Sequence, residues 1–264
     1  MKEEKRFLVE VGMKNLPFPI RVVSKVSPNG QLTVADISIS AHIMHEFEAQ
    51  WIDKFIKIVH QHREKIGTKT LRTNIKDYLK ELNASAVRIN FAYPFFIEKL
   101  TPKCKEKCLV RYLCTYSARI TSLKEDPRIL FKIEIPVITT YPVSTQEIPK
   151  GLLGQLSIVV VEIESKEDLY PEDLVEIVDR HALSPVYSFL TEYDQAYIIK
   201  KIHSEKKTSV VMADEIKEEL ARNHNIEWYS VRCSNYGMLH SYSTVIRTEK
   251  SIWVPFSDYE ELEI

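Results

Sequence analysis

Apolar and polar residues alternate from Leu32 to Ile43, with Leu32, Val34, Ile37 and Ile39 marking a strand. From Glu46 to Ile66 the period changes. Phe47, Trp51, Ile52, Phe55, Ile58 and Val59 recur at helical spacing and read as a buried helix stripe that needs no ligand. A second helix is predicted over Thr70 to Leu82, carrying Ile75, Leu79 and Leu82, and strands over Ala86 to Ala92 and Cys108 to Thr121. The second half repeats the theme. Strands are predicted over Leu130 to Thr139 and Gln155 to Glu164. Helices follow over Tyr170 to Ala182, with Pro171-Glu172-Asp173 in the first turn, and over Ser209 to Asn223. Strands over Trp228 to Ser234 and His240 to Arg247 close the pattern. Each half reads roughly as strand, strand, helix, helix, strand, strand. This divides the chain into an N-terminal segment (1–28), two units (29–125 and 126–250) and a tail (251–264) whose acidic end, Asp258 to Glu263, reads as frayed and solvated.

Charge changes the picture little. Lys and Arg number 36 against 37 Asp and Glu, so no broad basic field argues for nucleic acid. No apolar run is long enough to span a bilayer, and Met1 to Arg6 lacks the apolar core of a signal peptide, so a cytoplasmic protein is expected. Only 6 glycines occur, and no phosphate-cradling or dinucleotide fingerprint is present. Cys104, Cys108 and Cys114 crowd one segment, far from Cys233. Their spacing matches no zinc pattern. A Cys104–Cys108 disulfide is disfavoured in a reducing compartment, and unpaired thiols on a basic loop are the expectation. His60 and His62, two apart on a helix, do not share a face and read as exposed polar residues.

One stretch is more specific: Ile135-Pro136-Val137-Ile138-Thr139-Thr140-Tyr141-Pro142-Val143-Ser144, followed by Gly151-Leu152-Leu153-Gly154-Gln155-Leu156-Ser157. It resembles the type IB GTP cyclohydrolases, the metal-dependent family that opens GTP to dihydroneopterin triphosphate, where the stretch reads P-V-x-x-x-C-P-C-S-K-E-I and then G-A-H-N-Q-R-S. Further matches are Val11 to Pro19, Thr33 to Ala35, Phe91 to Phe96, Ser184 to Leu190 and Asp194 to Tyr197, in order over most of the chain. The resemblance implies an α+β bimodular tunnelling fold (T-fold). Two tandem ββααββ units would carry antiparallel sheets with helices on one face, in a homotetramer with active sites at subunit interfaces.

The same resemblance implies losses. Tyr141 and Val143 stand where the family has cysteines, Leu153 where it has histidine, and Lys200 where it has a metal-site glutamate. Gly237 replaces the glutamate that holds the purine ring, and of the two terminal histidines His240 remains while the second is Tyr242. An acid survives at Asp214 or Glu215. Valine and leucine offer a metal no lone pair, and a protonated Lys200 repels one, so no metal or cofactor is expected. His240 and Tyr242, two apart on a strand, would share a face that the family turns to its cavity. The alternative for both is packing. Lys200 is expected in the former metal pocket beside Tyr141 and His240, or else on the surface with Lys201.

The reading is a catalytically inactive relative of GTP cyclohydrolase that binds a purine-like, pterin-like or anionic ligand, or serves as a structural or regulatory subunit. Tyr141, Lys200, His240 and Tyr242 are its candidate cavity residues, and Gln155 and Ser144 its candidate ligand contacts. The alternatives are a metal-independent enzyme on a purine or pterin-like substrate, and a GTP cyclohydrolase whose metal site is rebuilt from His240, Cys233 or Asp214.

Overall fold

The structure, a computed structural model, describes residues 9–43, 50–141 and 153–250. The strands are β1 (Val9–Val22), β2 (Gln31–Ile43), β3 (Ala84–Leu100), β4 (Lys107–Ile120), β5 (Arg128–Thr140), β6 (Gly154–Ser165), β7 (Ser184–Pro185), β8 (Ile226–Tyr236) and β9 (Ser243–Glu249). The helices are α1 (Gln50–His62), α2 (Thr68–Glu81), α3 (Pro171–His181), α4 (Glu192–Ser204) and α5 (Ser209–Ala221). All pairings within the sheet are antiparallel, in the order β1-β2-β3-β4-β5-β6-β8-β9, with the short β7 pairing to β5. The fold is α+β. Among the described residues no helix is long and apolar enough to cross a membrane.

Side-chain alternation explains the layering. In β4, Cys108, Val110, Tyr112, Cys114, Tyr116 and Ala118 are buried while most intervening residues are exposed. The buried face packs against the helices, which contribute Trp51 and Phe55 from α1, Leu71 and Ile75 from α2, Val175 and Val178 from α3, and Met212 and Ile216 from α5. The apolar stripes read from Trp51, Phe55, Ile58 and Val59 and from Ile75 and Leu79 are core, as expected, but Ile52, one residue and about 100° round the helix from Trp51, is exposed. Phe47 lies outside the described residues.

Four expectations change. The segment before residue 29 contains β1, which pairs with β2 along nearly its whole length. Its pattern escapes a period-two reading because Asn15, at φ 57°, marks a bulge between Met13 and Leu16 that shifts the register. Leu32 and Val34 lie on the opposite face of β2 from Ile37 and Ile39, so the first pair is exposed and the second buried. Helix α4 had no apolar stripe to reveal it, since only Asp194 and Ile198 are buried along it. Its start is set by Thr191 and Asp194 in a reciprocal capping box. Finally, the cysteines are free thiols, but Cys108 and Cys114 are buried in β4, and only Cys104 sits on the preceding turn.

Candidate active site

Residue register at one end of β5, β6 and β8 builds a polar seam inside an otherwise apolar layer. Thr139 lies opposite Gln155, and Ser157 opposite Asn235. All four are buried. The Gln155 amide donates to Thr139 Oγ1 at 3.1 Å, Thr139 and Ser157 hydroxyls are 2.8 Å apart, and Ser157 donates to Asn235 Oδ1 at 2.7 Å. Ser157 has one proton and spends it on Asn235, so Thr139 must donate to Ser157. Asn235 closes the chain by donating to Thr244 Oγ1 at 3.3 Å. The Cys233 thiol points at the same Asn235 oxygen at 3.4 Å, and burial pushes its pKa up to about 11. Cys233 is therefore a neutral thiol in this seam and a poor metal ligand. The seam fixes the ends of three strands, because a buried polar group left unpaired costs roughly 1–3 kcal/mol.

Above the seam sits a ring cluster. The Tyr141 amide donates to the Leu153 carbonyl at 2.7 Å, which holds Tyr141 just beyond the end of β5. Its phenol oxygen is 2.9 Å from His240 Nε2. His240 stacks on Tyr242 with ring centroids 4.8 Å apart and planes at 15°. His240 and Tyr242 lie on the turn before β9 rather than on a strand, so ring stacking and not strand alternation brings them together. A Cβ at Gly237 would meet the Tyr141 ring at 3.2 Å, and Gln155 Oε1 lies 3.8 Å from the same point. Gly237 is thus the hollow into which Tyr141 fits.

The structure brings together Tyr141, His240, Tyr242 and Gln155. It does not bring Lys200 to them. Lys200 is exposed on α4 and lines a separate pocket with Lys103 and Lys201, so the expectation of an ammonium group in the former metal pocket is corrected. Helical geometry is the reason: Ile202 rather than Lys200 is the α4 residue against β6, its side chain occupying the space that a Cβ on Gly154 would need. Val143 and Ser144 fall outside the described residues. Asp214 pairs with Lys217 at 3.4 Å, and Glu215 is held by Lys207 and by His181 at 3.1 Å. The sequence reading missed Thr139, Ser157 and Asn235. Their signal was a polar residue at matching inward positions of three strands, beside Val137, Val159 and Cys233.

The donors do not fit the divalent metal that the family resemblance implies. Leu153 has no lone pair to give, Lys200 lies elsewhere, the Cys233 thiol is neutral, and the Tyr141 oxygen already faces His240. Among the described residues no three His, Cys, Asp or Glu side chains converge as a metal would require.

The model of one family, type I GTP cyclohydrolase FolE2, matches residues 2–245. The chain belongs to that family. Relatives include GTP cyclohydrolase FolE2 of Citrifermentans bemidjiense, 29% identical over 92% of this chain and 89% of its own length. The enzyme of that name from Geotalea uraniireducens is 30% identical over 91% and 88%, and that from Thermosipho africanus is 26% identical over 89% and 90%. In fold the chain is similar to urate oxidases. A mutant of the Bacillus sp. TB-90 enzyme superposes with a TM-score of 0.52 at 9% identity, covering 91% of this chain and 96% of that one. The Arthrobacter globiformis uricase gives 0.53 at 8%, covering 96% and 97%. Membership along nearly the full length, among relatives named as GTP cyclohydrolases, overturns the expectation of an inactive relative. That expectation counted each replaced position as a loss and gave no weight to the contact that Tyr141 gains with His240.

Proposed function

We propose that this FolE2-family protein is an enzyme of the cyclohydrolase class that adds water to the purine ring of GTP, with Tyr141 and His240 as its proton-handling pair. The observation that carries the proposal is the 2.9 Å contact between the Tyr141 phenol and His240 Nε2. A water that attacks a ring carbon must lose a proton, and the ring nitrogen that leaves must gain one. An imidazole hydrogen-bonded to a phenol can hold that proton between the two events. When Nε2–H donates to Tyr141, Nδ1 is the free base; when the phenol donates, Nδ1 carries the hydrogen. Tyr242, stacked on His240, fixes the plane of the imidazole. Gln155 Oε1, at the hollow beside Gly237, makes no hydrogen bond among the described residues and supplies an acceptor for a purine amino or ring N–H group.

The test is GTP turnover, followed by the fluorescence of the oxidised pterin product, in chelator-treated and in metal-supplemented protein. His240→Ala is expected to lower kcat by roughly 10²–10⁴-fold and Tyr141→Phe by less, the range for a lost general acid–base group. Absence of turnover in both preparations, or a His240→Ala variant at the wild-type rate, overturns the proposal.

We also read the chain as two tandem ββααββ units of a cytoplasmic T-fold homo-oligomer, a tetramer. The support is physical: β1 and β9 end the sheet, and among the described residues each has one edge unpaired. On the face away from the helices, Leu32, Val34, Phe96, Leu109 and Leu113 are exposed on three adjacent strands. Light scattering that finds a stable monomer at micromolar concentration overturns this assembly.

A further inference from the structure

The lysines of α4 have their own setting. A cavity of about 390 Å³ lies between the β3–β4 turn and α4, lined by Lys103, Tyr193, Tyr197, Lys200, Lys201 and Ser204 among others. The α4 members recur at helical spacing and share one face of the helix. None of them belongs to the Tyr141–His240–Tyr242 cluster.

The pocket is built rather than incidental. Asp194, fully buried in the first turn of α4, accepts backbone hydrogen bonds from Lys103 at 2.8 Å and Cys104 at 3.0 Å. It also caps its own helix through Thr191. Burial opposes the charge on Asp194, but these hydrogen bonds outweigh it and hold the carboxyl well below the usual carboxylate range. The β3–β4 turn is thereby fixed to the helix that carries Lys200, so the backbones that bring the three lysines to one cavity are held without ordering a loop. The Lys103 ammonium sits 5.3 Å from the centre of the Tyr197 ring. Lys201 is 3.8 Å from Glu205, the carboxylate in the lining. Lys103 and Lys200 have no carboxylate partner among the described residues.

Two uncompensated cations and a third weakly paired one face a single cavity beside two tyrosine rings. We infer that this pocket binds the phosphate groups of a phosphorylated small molecule, on Lys103, Lys200 and Lys201. Polyphosphate carries several negative charges and acceptor oxygens, the chemistry that several ammonium point charges around one cavity recognise. The source of that chemistry is either a free polyphosphate or a nucleotide whose base lies on exposed Tyr193 or on Tyr197.

The experiment is calorimetric titration of the full chain with sodium tripolyphosphate, GTP and guanosine, at low and at near-physiological salt. Tripolyphosphate and GTP are expected to bind, guanosine not. Binding should weaken as salt rises, because the lysines are exposed and screening acts within about 10 Å at 0.1 M. Lys200→Glu and Lys103→Gln should each weaken both phosphate ligands by about tenfold or more, while thermal melting reports an intact fold. Equal affinity for tripolyphosphate and GTP assigns the site to phosphate alone. Tighter GTP binding that Tyr193→Ala reduces to the tripolyphosphate level assigns it to a nucleotide. No binding of either at low salt, or wild-type binding by both lysine variants, overturns the inference. Tyr141→Phe separates the two sites: loss of turnover with tripolyphosphate binding intact bears on the catalytic pair alone.

Discussion

Gly237→Ala tests whether the Tyr141 ring is held in place by the space beneath it. The new methyl carbon would lie 3.2 Å from Tyr141 Cε2 and 3.4 Å from Cδ2. Carbon atoms rest at about 3.5–4.0 Å, so the ring must retreat by about 0.3–0.8 Å. The Tyr141 backbone cannot follow easily, because its amide is tied to Leu153. The ring therefore swings, and the 2.9 Å contact to His240 stretches toward the limit of a hydrogen bond. A misplacement near 1 Å costs on the order of 10²-fold in rate, so a shift of about half that predicts roughly a tenfold loss in kcat/KM, about 1.4 kcal/mol. Gly237 is not among the residues with positive φ, so alanine adds no backbone strain and the melting temperature should move little. Two assays are needed: GTP turnover, and the His240 imidazole nitrogen resonances, which report the lost contact whether or not turnover is measured. A double-mutant cycle with Tyr141→Ala decides the cause. If Gly237→Ala costs as much without the Tyr141 ring as with it, the ring-and-hollow account is wrong.

Asp194 is held below its ordinary pKa, so the stability it carries is present above its unfolded value of about 3.9 and is lost as pH falls below that; melting curves between pH 3 and 6 should be flatter for Asp194→Asn than for wild type. Tyr93 is buried beside Tyr116 and its hydroxyl has no partner among the described residues, so Tyr93→Phe should raise stability by about 1 kcal/mol in urea denaturation; a loss of that size would mean that the hydroxyl has a partner. Lys99 and Asp179 form a largely buried ion pair joining β3 to α3, and burial already raises the Asp179 pKa against the pull of Lys99. Lys99→Met strands that carboxylate and should cost about 3 kcal/mol at pH 7, a deficit that shrinks as pH falls and Asp179 takes a proton.

Period alone revealed most strands and the helices whose stripes face the core, because burial repeats every 2 or 3.6 residues there. It failed where other forces set the structure. The Asn15 bulge broke the alternation of β1, and α4 presents only Asp194 and Ile198 to the interior, so a capping box defines it instead of a stripe. Of the site, Tyr141, His240, Tyr242 and Gln155 were legible through the family frame. Their contacts were not, since ring stacking on a turn leaves no periodic trace. Lys200 was misplaced because alignment fixes a residue's order in the chain but not its helical face, and one residue in α4 is about 100° of rotation.

The same distinction explains why the replaced positions misled. Taken singly, Tyr141 and Gly237, standing where the family resemblance implies a metal-binding residue and a purine-anchoring acid, are two deletions. In space they are one exchange. A side chain larger than glycine at 237 would meet the Tyr141 ring, and without the ring the hollow at Gly237 would stand open above the Gln155–Thr139–Ser157–Asn235 seam. The large residue and the small one fit only together, and their fit places a phenol against His240. The seam beneath is a continuous hydrogen-bonded chain from Gln155 to Thr244, so it offers a rigid floor from which Gln155 Oε1 faces the hollow. A site that had merely lost its function would not require the two changes to match. The coupling between Gly237 and Tyr141 is therefore the quantity that tests whether the two replacements were matched to build a proton-transfer site, and a coupling near zero would refute that account.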